Sequence, residues 1–249
     1  MSSVKRFGWL VPLGLALFAA SVVLYAVQYA IFRDAHHLFI YLLSDIAFLP
    51  IQVLLVTLVI NELLGEREKR SRLRKLNMII GAFFSELGTA LLAFFSHVDP
   101  KLGDVRRDLI VTGDWSPGEF ADVSRRLSKY DYHIEIQRAD LDELRILLAS
   151  RRDFLLQLLQ NPNVLEHESF AELLRAVFHV AEELVTRETM VDLPPQDLDH
   201  LANDMRRVYV LLVGQWLGYM RHLRDEYPYL FSLAMRTNPF DRDASPVVR

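Results

Sequence analysis

The chain has 249 residues, of which 51% are hydrophobic, and its formal net charge at pH 7 is −4. It contains no cysteine, so disulfide bonds, thiol catalysis and thiolate metal sites are excluded. The acidic balance also argues against a nucleic-acid partner, because such a partner requires clustered lysine and arginine.

Two long apolar stretches open the chain. Residues 8–32 carry no charged side chain, and residues 38–61 carry one, Asp45. A helix needs roughly 20 apolar residues to cross a bilayer core, and both stretches exceed that length. The sequence therefore predicts a two-pass membrane protein in which residues 1–65 form a transmembrane helical hairpin, with spans over about 8–32 and 38–62.

A secretory signal peptide is the alternative for the first stretch. Lys5 and Arg6 precede it, and the small residues at 19–21 would permit cleavage. A signal peptide has an apolar core of roughly 7 to 15 residues, however, whereas this stretch continues to Phe32. Its length favours an uncleaved anchor.

A basic segment follows the second span at residues 66–75. Cytoplasmic flanks of membrane helices carry an excess of lysine and arginine, and the loop between the two spans offers only Arg33. We therefore expect an integral protein of the inner or plasma membrane with both termini in the cytoplasm. The lipid bilayer is an expected partner. Each cation of the segment could gain about 1 kcal/mol from anionic headgroups, although setting the topology is by itself the favoured account of the segment. These cations are Arg67, Lys69, Arg70, Arg72, Arg74 and Lys75.

The rest of the chain is predicted to be helical. Apolar residues recur at every third or fourth position, which indicates an all-α fold with a cytoplasmic antiparallel bundle over residues 76–238. The first helix of this bundle, over residues 76–95, is apolar on most sides. It could be a third membrane span, but Glu86 near its centre and the preceding cations favour a core helix.

Start and stop signals predict four further helices. Ser116, Pro117 and Glu119 together form a capping box with proline at the first helical position, which marks a helix start. The four helices run from Ser116 to about Tyr130, from Asp140 to about Asn161, from about Glu166 to Glu188, and from about Gln196 to Glu226. Residues 239–249 are expected to form a polar, frayed tail.

The membrane part contains polar side chains that could meet. Tyr25 and Gln28 share one face of the first span, and Asp45 and Gln52 share one face of the second. Folding the hairpin about residue 35 brings Tyr25 to the depth of Asp45, so its hydroxyl can donate a hydrogen bond to the carboxylate. This contact is interpreted as holding the helices together, at about 0.6 to 2 kcal/mol, in preference to forming a proton or cation site in an oligomer.

Histidines near carboxylates give weak candidates for a metal site. Bundles that bind two metal ions use a glutamate with a histidine three residues after it, and here only Asp197 and His200 have a comparable order. His179 and Glu183 are further candidates, but in this pair the histidine comes first. Single histidines on amphipathic helices are mostly hydrogen-bonded or solvated, so no metal and no cofactor is expected.

No stretch of the sequence carries a catalytic motif such as a nucleophile elbow or a phosphate-binding loop, which favours a protein that is not an enzyme. The favoured function is a membrane-anchored helical interaction or scaffold module at the cytoplasmic face, which binds a protein partner or a second copy of itself. The alternative is a subunit of a small oligomeric ion channel or transporter in which the second span lines the pathway. That span offers few polar positions for such a role.

Overall fold

The computed structural model describes residues 10–248, with the backbone alone at residues 10, 11, 37, 70 and 104. Lys5 and Arg6, and the side chain of Arg70, therefore lie outside the described residues. The described part is all-α, with 79% of its residues in helices and no strand. Its helices are α1 (Leu10–Phe32), α2 (Ala35–Phe83), a π-helix (Phe84–Gly88), α3 (Thr89–Val98), α4 (Arg106–Leu109), α5 (Pro117–Leu127), α6 (Leu141–Ser150), α7 (Arg152–Leu159), α8 (Pro162–Leu165), α9 (Glu168–Thr186), α10 (Pro195–Glu226) and α11 (Pro228–Arg236), with short 3₁₀ turns at Leu102–Asp104 and Ile136–Arg138.

The chain divides into two compact units, the first ending at Glu68 and the second beginning at Lys69. In the first unit, only two residues connect α1 to α2. Arg33 ends α1 in the left-handed conformation, with φ at 49°, and its N–H donates to the Tyr29 carbonyl at 2.8 Å. Asp34 then begins α2, because its carboxylate accepts a hydrogen bond from the His36 N–H at 2.9 Å.

The first unit exposes an apolar surface. Two of the described helices are long and apolar enough to cross a membrane, judged by length and composition: Pro12–Phe32, with mean hydropathy 2.0, and the stretch Leu38–Val98, with mean hydropathy 2.2. None of the residues in the most apolar window of either helix is buried. The second stretch is longer than the predicted span because α2 continues without a break through Pro50 and the basic segment to Phe83, and the π-helix and α3 follow it directly.

The second unit is built around the end of α2, the π-helix and α3, where the sequence predicted one regular helix over 76–95. Phe83 and Phe84 are consecutive in sequence, yet both are buried, at 0% and 2% exposure. The π-helix, with its wider turn, follows Phe83 and leads into α3. At the start of α3, the Thr89 hydroxyl donates to the Phe84 carbonyl at 2.8 Å. The side chains of this stretch line the core, as expected for a core helix.

The capping box at the start of α5 is confirmed. The Glu119 N–H donates to the Ser116 hydroxyl at 3.2 Å, and the Ser116 N–H donates to the Glu119 carboxylate at 2.5 Å. The helix itself ends at Leu127, three residues before the predicted end. At Tyr130 the chain has already turned into the loop before Asp140.

The long helix predicted from Asp140 to Asn161 is two helices. Asp140 caps α6 as expected, since its carboxylate accepts from the Glu143 N–H at 2.9 Å. The chain leaves helical geometry at Arg151, and α7 begins at the next residue. Leu148 and Leu155, on either side of this break, are both buried, at 1% and 0% exposure.

Helices α9 and α10 pack antiparallel. Contacts at both ends define this orientation. Arg187 pairs with Asp197 at one end, and the Gln215 amide donates to the Ser169 hydroxyl at 2.9 Å at the other. Both helices bury one wide apolar face. The buried side chains include Phe170, Leu174, Val177, Ala181 and Leu184 of α9, and Leu201, Met205, Val208, Leu212 and Trp216 of α10.

The carboxyl-terminal residues are packed, so the prediction of a frayed tail over 239–249 is wrong where it begins. Asn238 and Phe240 are both fully buried. The Asn238 amide donates to the Leu109 carbonyl at 2.9 Å, and its oxygen accepts from the Phe240 N–H at 2.9 Å. The Phe240 ring lies edge-on to Trp216, with 5.3 Å between centroids. Asn238 and Phe240 together therefore hold the start of this polar run against the second unit.

Candidate functional site

A polar groove lies between α1 and α2 in the first unit. Ser21, Tyr25 and Gln28 line it from α1, and Tyr41 and Asp45 line it from α2, around a volume of about 450 Å³. The Tyr25 hydroxyl donates to Asp45 Oδ2 at 3.3 Å, which is the contact that the sequence predicted. The groove thus brings one carboxylate together with hydroxyl and amide groups on a mostly apolar surface.

Gln52 does not join the other three predicted residues of this groove. It lies about two turns beyond Asp45 on α2, where its side chain is exposed. Gln28, in contrast, also lines a second groove of about 480 Å³ that extends to Asp34 at the connection between the helices. The polar lining is therefore concentrated near that connection.

The basic segment is helical and exposed. Within the second unit, the Arg72 guanidinium of this segment contacts the Glu166 carboxylate at 2.8 Å, with both side chains about half exposed. An exposed ion pair of this kind contributes at most about 1 kcal/mol. The cations whose side chains are described as exposed are Arg67, Lys69, Arg72, Arg74 and Lys75.

A histidine–carboxylate cluster lies on the α9–α10 pair. His179 and Glu183 are four residues apart on α9, and His200 and Asp204 are four residues apart on α10, so each pair shares one helix face. The antiparallel packing brings the two faces together. One ligand atom from each of His179, Glu183 and His200 lies within 4.8 Å of the others.

Asp204 completes the cluster. Its Oδ2 lies 3.3 Å from His179 Nε2 and 3.3 Å from His200 Nε2. The Glu183 carboxylate oxygens lie 3.9 Å from His179 Nε2 and 3.8 Å from His200 Nε2. The Asp204 oxygen is buried and accepts no hydrogen bond from the residues that the structure describes, whereas both imidazoles are about half exposed. The cluster is therefore open to solvent on its histidine side.

Arg187 pairs with Glu183 of the cluster and with Asp197 outside it. Its guanidinium donates to Glu183 Oε2 at 2.7 Å and to the two Asp197 oxygens at 3.0 and 2.6 Å. These hydrogen bonds lower the pKa of Glu183 and of Asp197, and they raise the pKa of Arg187. Asp197, one of the weak metal candidates, is thus a partner of Arg187 and stands apart from the histidines' shared centre.

Sequence reasoning identified His179, Glu183 and His200 but missed Asp204. The pattern typical of bundles that bind two metal ions is a carboxylate with a histidine three residues after it on the same helix. The signal present is instead a histidine followed four residues later by a carboxylate, and it occurs on two successive helices. Only the packing of α9 against α10 shows that these two histidine–carboxylate pairs meet.

A buried carboxylate, Asp99, lies elsewhere in the second unit at 5% exposure. It accepts hydrogen bonds from the Lys101 N–H at 3.0 Å and from the Tyr130 hydroxyl at 3.2 Å. Burial nevertheless raises the pKa of Asp99 above its usual value. These contacts tie the end of α3 to the loop after α5, and we assign them a structural role.

Comparison with known proteins gives a consistent family match. Residues 72–236 match the family described as "Uncharacterized protein MJ1433, C-terminal helical domain", and residues 4–64 match "MJ1433, N-terminal helical domain". The chain is 44% identical over 237 residues to "Uncharacterized protein MJ1433" of Methanocaldococcus jannaschii, an alignment that covers 95% of this chain and 94% of that protein. No solved structure matches the chain.

Proposed function

The chain belongs to the MJ1433 family, and from this premise we propose that it is a two-pass membrane protein that presents a helical bundle at the cytoplasmic face as an interaction or scaffold module. The observation that carries the proposal is the apolar surface of the first unit. Phe18 and Leu43, for example, are each 70% exposed. Soluble proteins rarely expose apolar surface this continuous, because its contact with water is unfavourable, whereas lipid solvates it without that cost.

The short connection supports a hairpin within the membrane. Arg33 and Asp34 place a charged pair between the two apolar stretches, and the capping contacts of these residues satisfy backbone groups at the end of α1 and the start of α2. Unsatisfied backbone groups are costly in lipid, so this arrangement suits a connection near a membrane surface. The excess of cations in the basic segment favours a cytoplasmic location for the residues that follow.

The second unit supports a role in binding a partner or a second copy of the chain. It has a continuous apolar core, and ion pairs connect its helices at the surface, such as Arg126–Asp108 at 2.8 Å and Arg152–Glu182 at 2.8 Å. Such a bundle keeps a fixed surface while the anchor confines it to the membrane. Confinement raises the local concentration of the module next to other membrane-bound proteins.

Fractionation and reporter fusions test the membrane part. We expect the full chain to stay in the membrane fraction after alkaline washing and to be extracted by detergent. A reporter at the carboxyl terminus should be active on the cytoplasmic side, and a reporter inserted between Arg33 and Asp34 should be active on the opposite side. Recovery of the intact chain in the soluble fraction, or an external carboxyl terminus, would overturn the proposal.

The mass of the detergent-extracted protein tests the module role. A homodimer or a stoichiometric complex with a second protein is expected. A symmetric ring would instead favour the channel or transporter subunit, for which the Asp45–Tyr25 groove is the supporting observation. In that case Asp45→Asn should change ion leakage through vesicles that contain the protein.

A further inference from the structure

We propose that His179, Glu183, His200 and Asp204 bind one divalent transition-metal ion of the Zn²⁺ type. The proposal concerns the second unit alone and does not depend on the location of the first unit in a membrane. It rests on three properties of the cluster: the distances between the donor atoms, their chemical identity, and the charge around them.

The donor atoms are spaced as the ligands of one small ion. Zn²⁺ binds histidine nitrogen and carboxylate oxygen at about 2.0–2.2 Å, so a tetrahedral site places neighbouring ligand atoms roughly 3.3–3.6 Å apart. Two of the distances in the cluster, from Asp204 Oδ2 to the two imidazole Nε2 atoms, are 3.3 Å. Glu183 approaches the two nitrogens with different oxygens, Oε1 at 3.9 Å from His179 Nε2 and Oε2 at 3.8 Å from His200 Nε2, and both distances exceed this range by a few tenths of an ångström. Small rotations of the half-exposed imidazoles can close that difference.

The identity of the donors selects the class of metal. Imidazole nitrogen is a preferred ligand of Zn²⁺, Cu²⁺ and Ni²⁺, whereas Mg²⁺ and Ca²⁺ favour sites made of oxygen alone. Both histidines direct Nε2 toward the same carboxylate oxygen of Asp204. Two imidazoles and two carboxylates therefore converge from two helices, each of which contributes a histidine and a carboxylate four residues apart.

The surrounding charge suits a dication. Glu183 and Asp204 supply two negative charges, while the charge of Arg187 is shared with Asp197 outside the cluster. Arg187 acts as a positioning residue, because its hydrogen bond to Glu183 Oε2 fixes the carboxylate and leaves Oε1 toward His179. The buried Asp204 oxygen lacks a hydrogen-bond donor among the described residues, and a bound cation would satisfy it.

Metal binding is tested on the full chain in detergent, purified with a tag that contains no histidine. Zn²⁺ binding is measured by calorimetry after chelator treatment, and Co²⁺ is used as a spectroscopic probe because its visible absorption reports coordination number. We expect one Zn²⁺ per chain and a Co²⁺ spectrum of a four-coordinate nitrogen–oxygen site. The double variant His179→Gln/His200→Gln should weaken Zn²⁺ binding by at least about 100-fold, and Asp204→Asn by about 10-fold or more.

His97→Gln is the matched control. His97 is an exposed histidine in the last turn of α3, outside the cluster, and its replacement should leave Zn²⁺ binding unchanged. Circular dichroism of each variant verifies that the helices are retained. Three outcomes would overturn the proposal: no stoichiometric Zn²⁺ binding by the native chain, retention of binding in the double variant, or equal loss of binding in the control. The Co²⁺ spectrum of the native chain provides a test that requires no variant to fold.

Discussion

Gly88→Ala is expected to destabilise the second unit, because the added methyl group would meet two phenylalanine rings. A Cβ atom at this position would lie 2.7 Å from Phe84 Cδ1 and 2.9 Å from Phe83 Cε1, far inside van der Waals contact. Both rings are in contact with further aromatic side chains. Phe83 packs edge-on against Phe170, with 5.6 Å between centroids, and Phe84 stacks on Tyr219 at 5.1 Å.

The size of the effect follows from two opposing contributions. Overpacking a closed core by one methyl group costs about 1–3 kcal/mol, whereas replacing a helical glycine with alanine gains about 1 kcal/mol from helix propensity. Gly218→Ala in α10 has the second contribution alone, because nothing lies within 4 Å of a Cβ atom there. The difference in unfolding free energy between the two variants should therefore be about 1–3 kcal/mol, or roughly 2–12 °C in Tm.

The assay is thermal unfolding of the full chain in detergent, followed by circular dichroism of the helices and by tryptophan fluorescence. Gly218→Ala should be at least as stable as the native chain, and Gly88→Ala should be less stable than Gly218→Ala by the stated difference. Equal stability of the two variants would show that the rings yield at little cost, and it would refute the argument that the π-helix is packed too tightly for a side chain.

Three further outcomes are expected. Asn238→Ala should lower the free energy of unfolding by about 2–4 kcal/mol, since it leaves one backbone carbonyl and one backbone N–H buried without a partner. Asn203→Ala, on the exposed face of α10, should lower it by less than about 0.5 kcal/mol in the same assay. Because burial raises the pKa of Asp99, its contribution to the free energy of unfolding is complete below pH 3.8 and is lost as the pH rises through the folded-state pKa. The Tm of Asp99→Asn should therefore rise relative to that of the native chain from pH 3 to pH 7. A constant difference in Tm would contradict this sign. Tyr25→Phe should lower the resistance of the first unit to sodium dodecyl sulfate by about 0.6–2 kcal/mol, and an unchanged midpoint would show that the hydrogen bond to Asp45 contributes nothing.

The features that sequence predicted correctly are governed by nearby residues. The capping box at Ser116 and the cap at Asp140 depend on side chains within three positions, and the Tyr25–Asp45 contact depends on a short connection between two apolar stretches. Local spacing is enough to place these contacts. The all-α character of the chain follows in the same way from repeated three- and four-residue spacing.

The features that sequence missed depend on partners far along the chain. The break at Arg151 has no signal in the local pattern, because the leucines on either side of it would also share one face of an unbroken helix. The burial of Phe240 requires Trp216, and the position of Asp204 in the cluster requires α9 to lie beside α10. Periodicity within one segment cannot report contacts of this kind.

The anchoring of the last residues has a consequence for biosynthesis. The Arg106 guanidinium donates to the Phe240 carbonyl at 2.8 Å, and the Asn238 amide donates to the Leu109 carbonyl, so Arg106 and Leu109 acquire these partners only after residues about 130 positions later have been translated. The core of the bundle is therefore incomplete until Asn238 and Phe240 have left the ribosome, although the apolar helices that precede it leave the ribosome earlier. A nascent chain stalled shortly before Asn238 would keep apolar surface exposed and would be a substrate for chaperones or proteases.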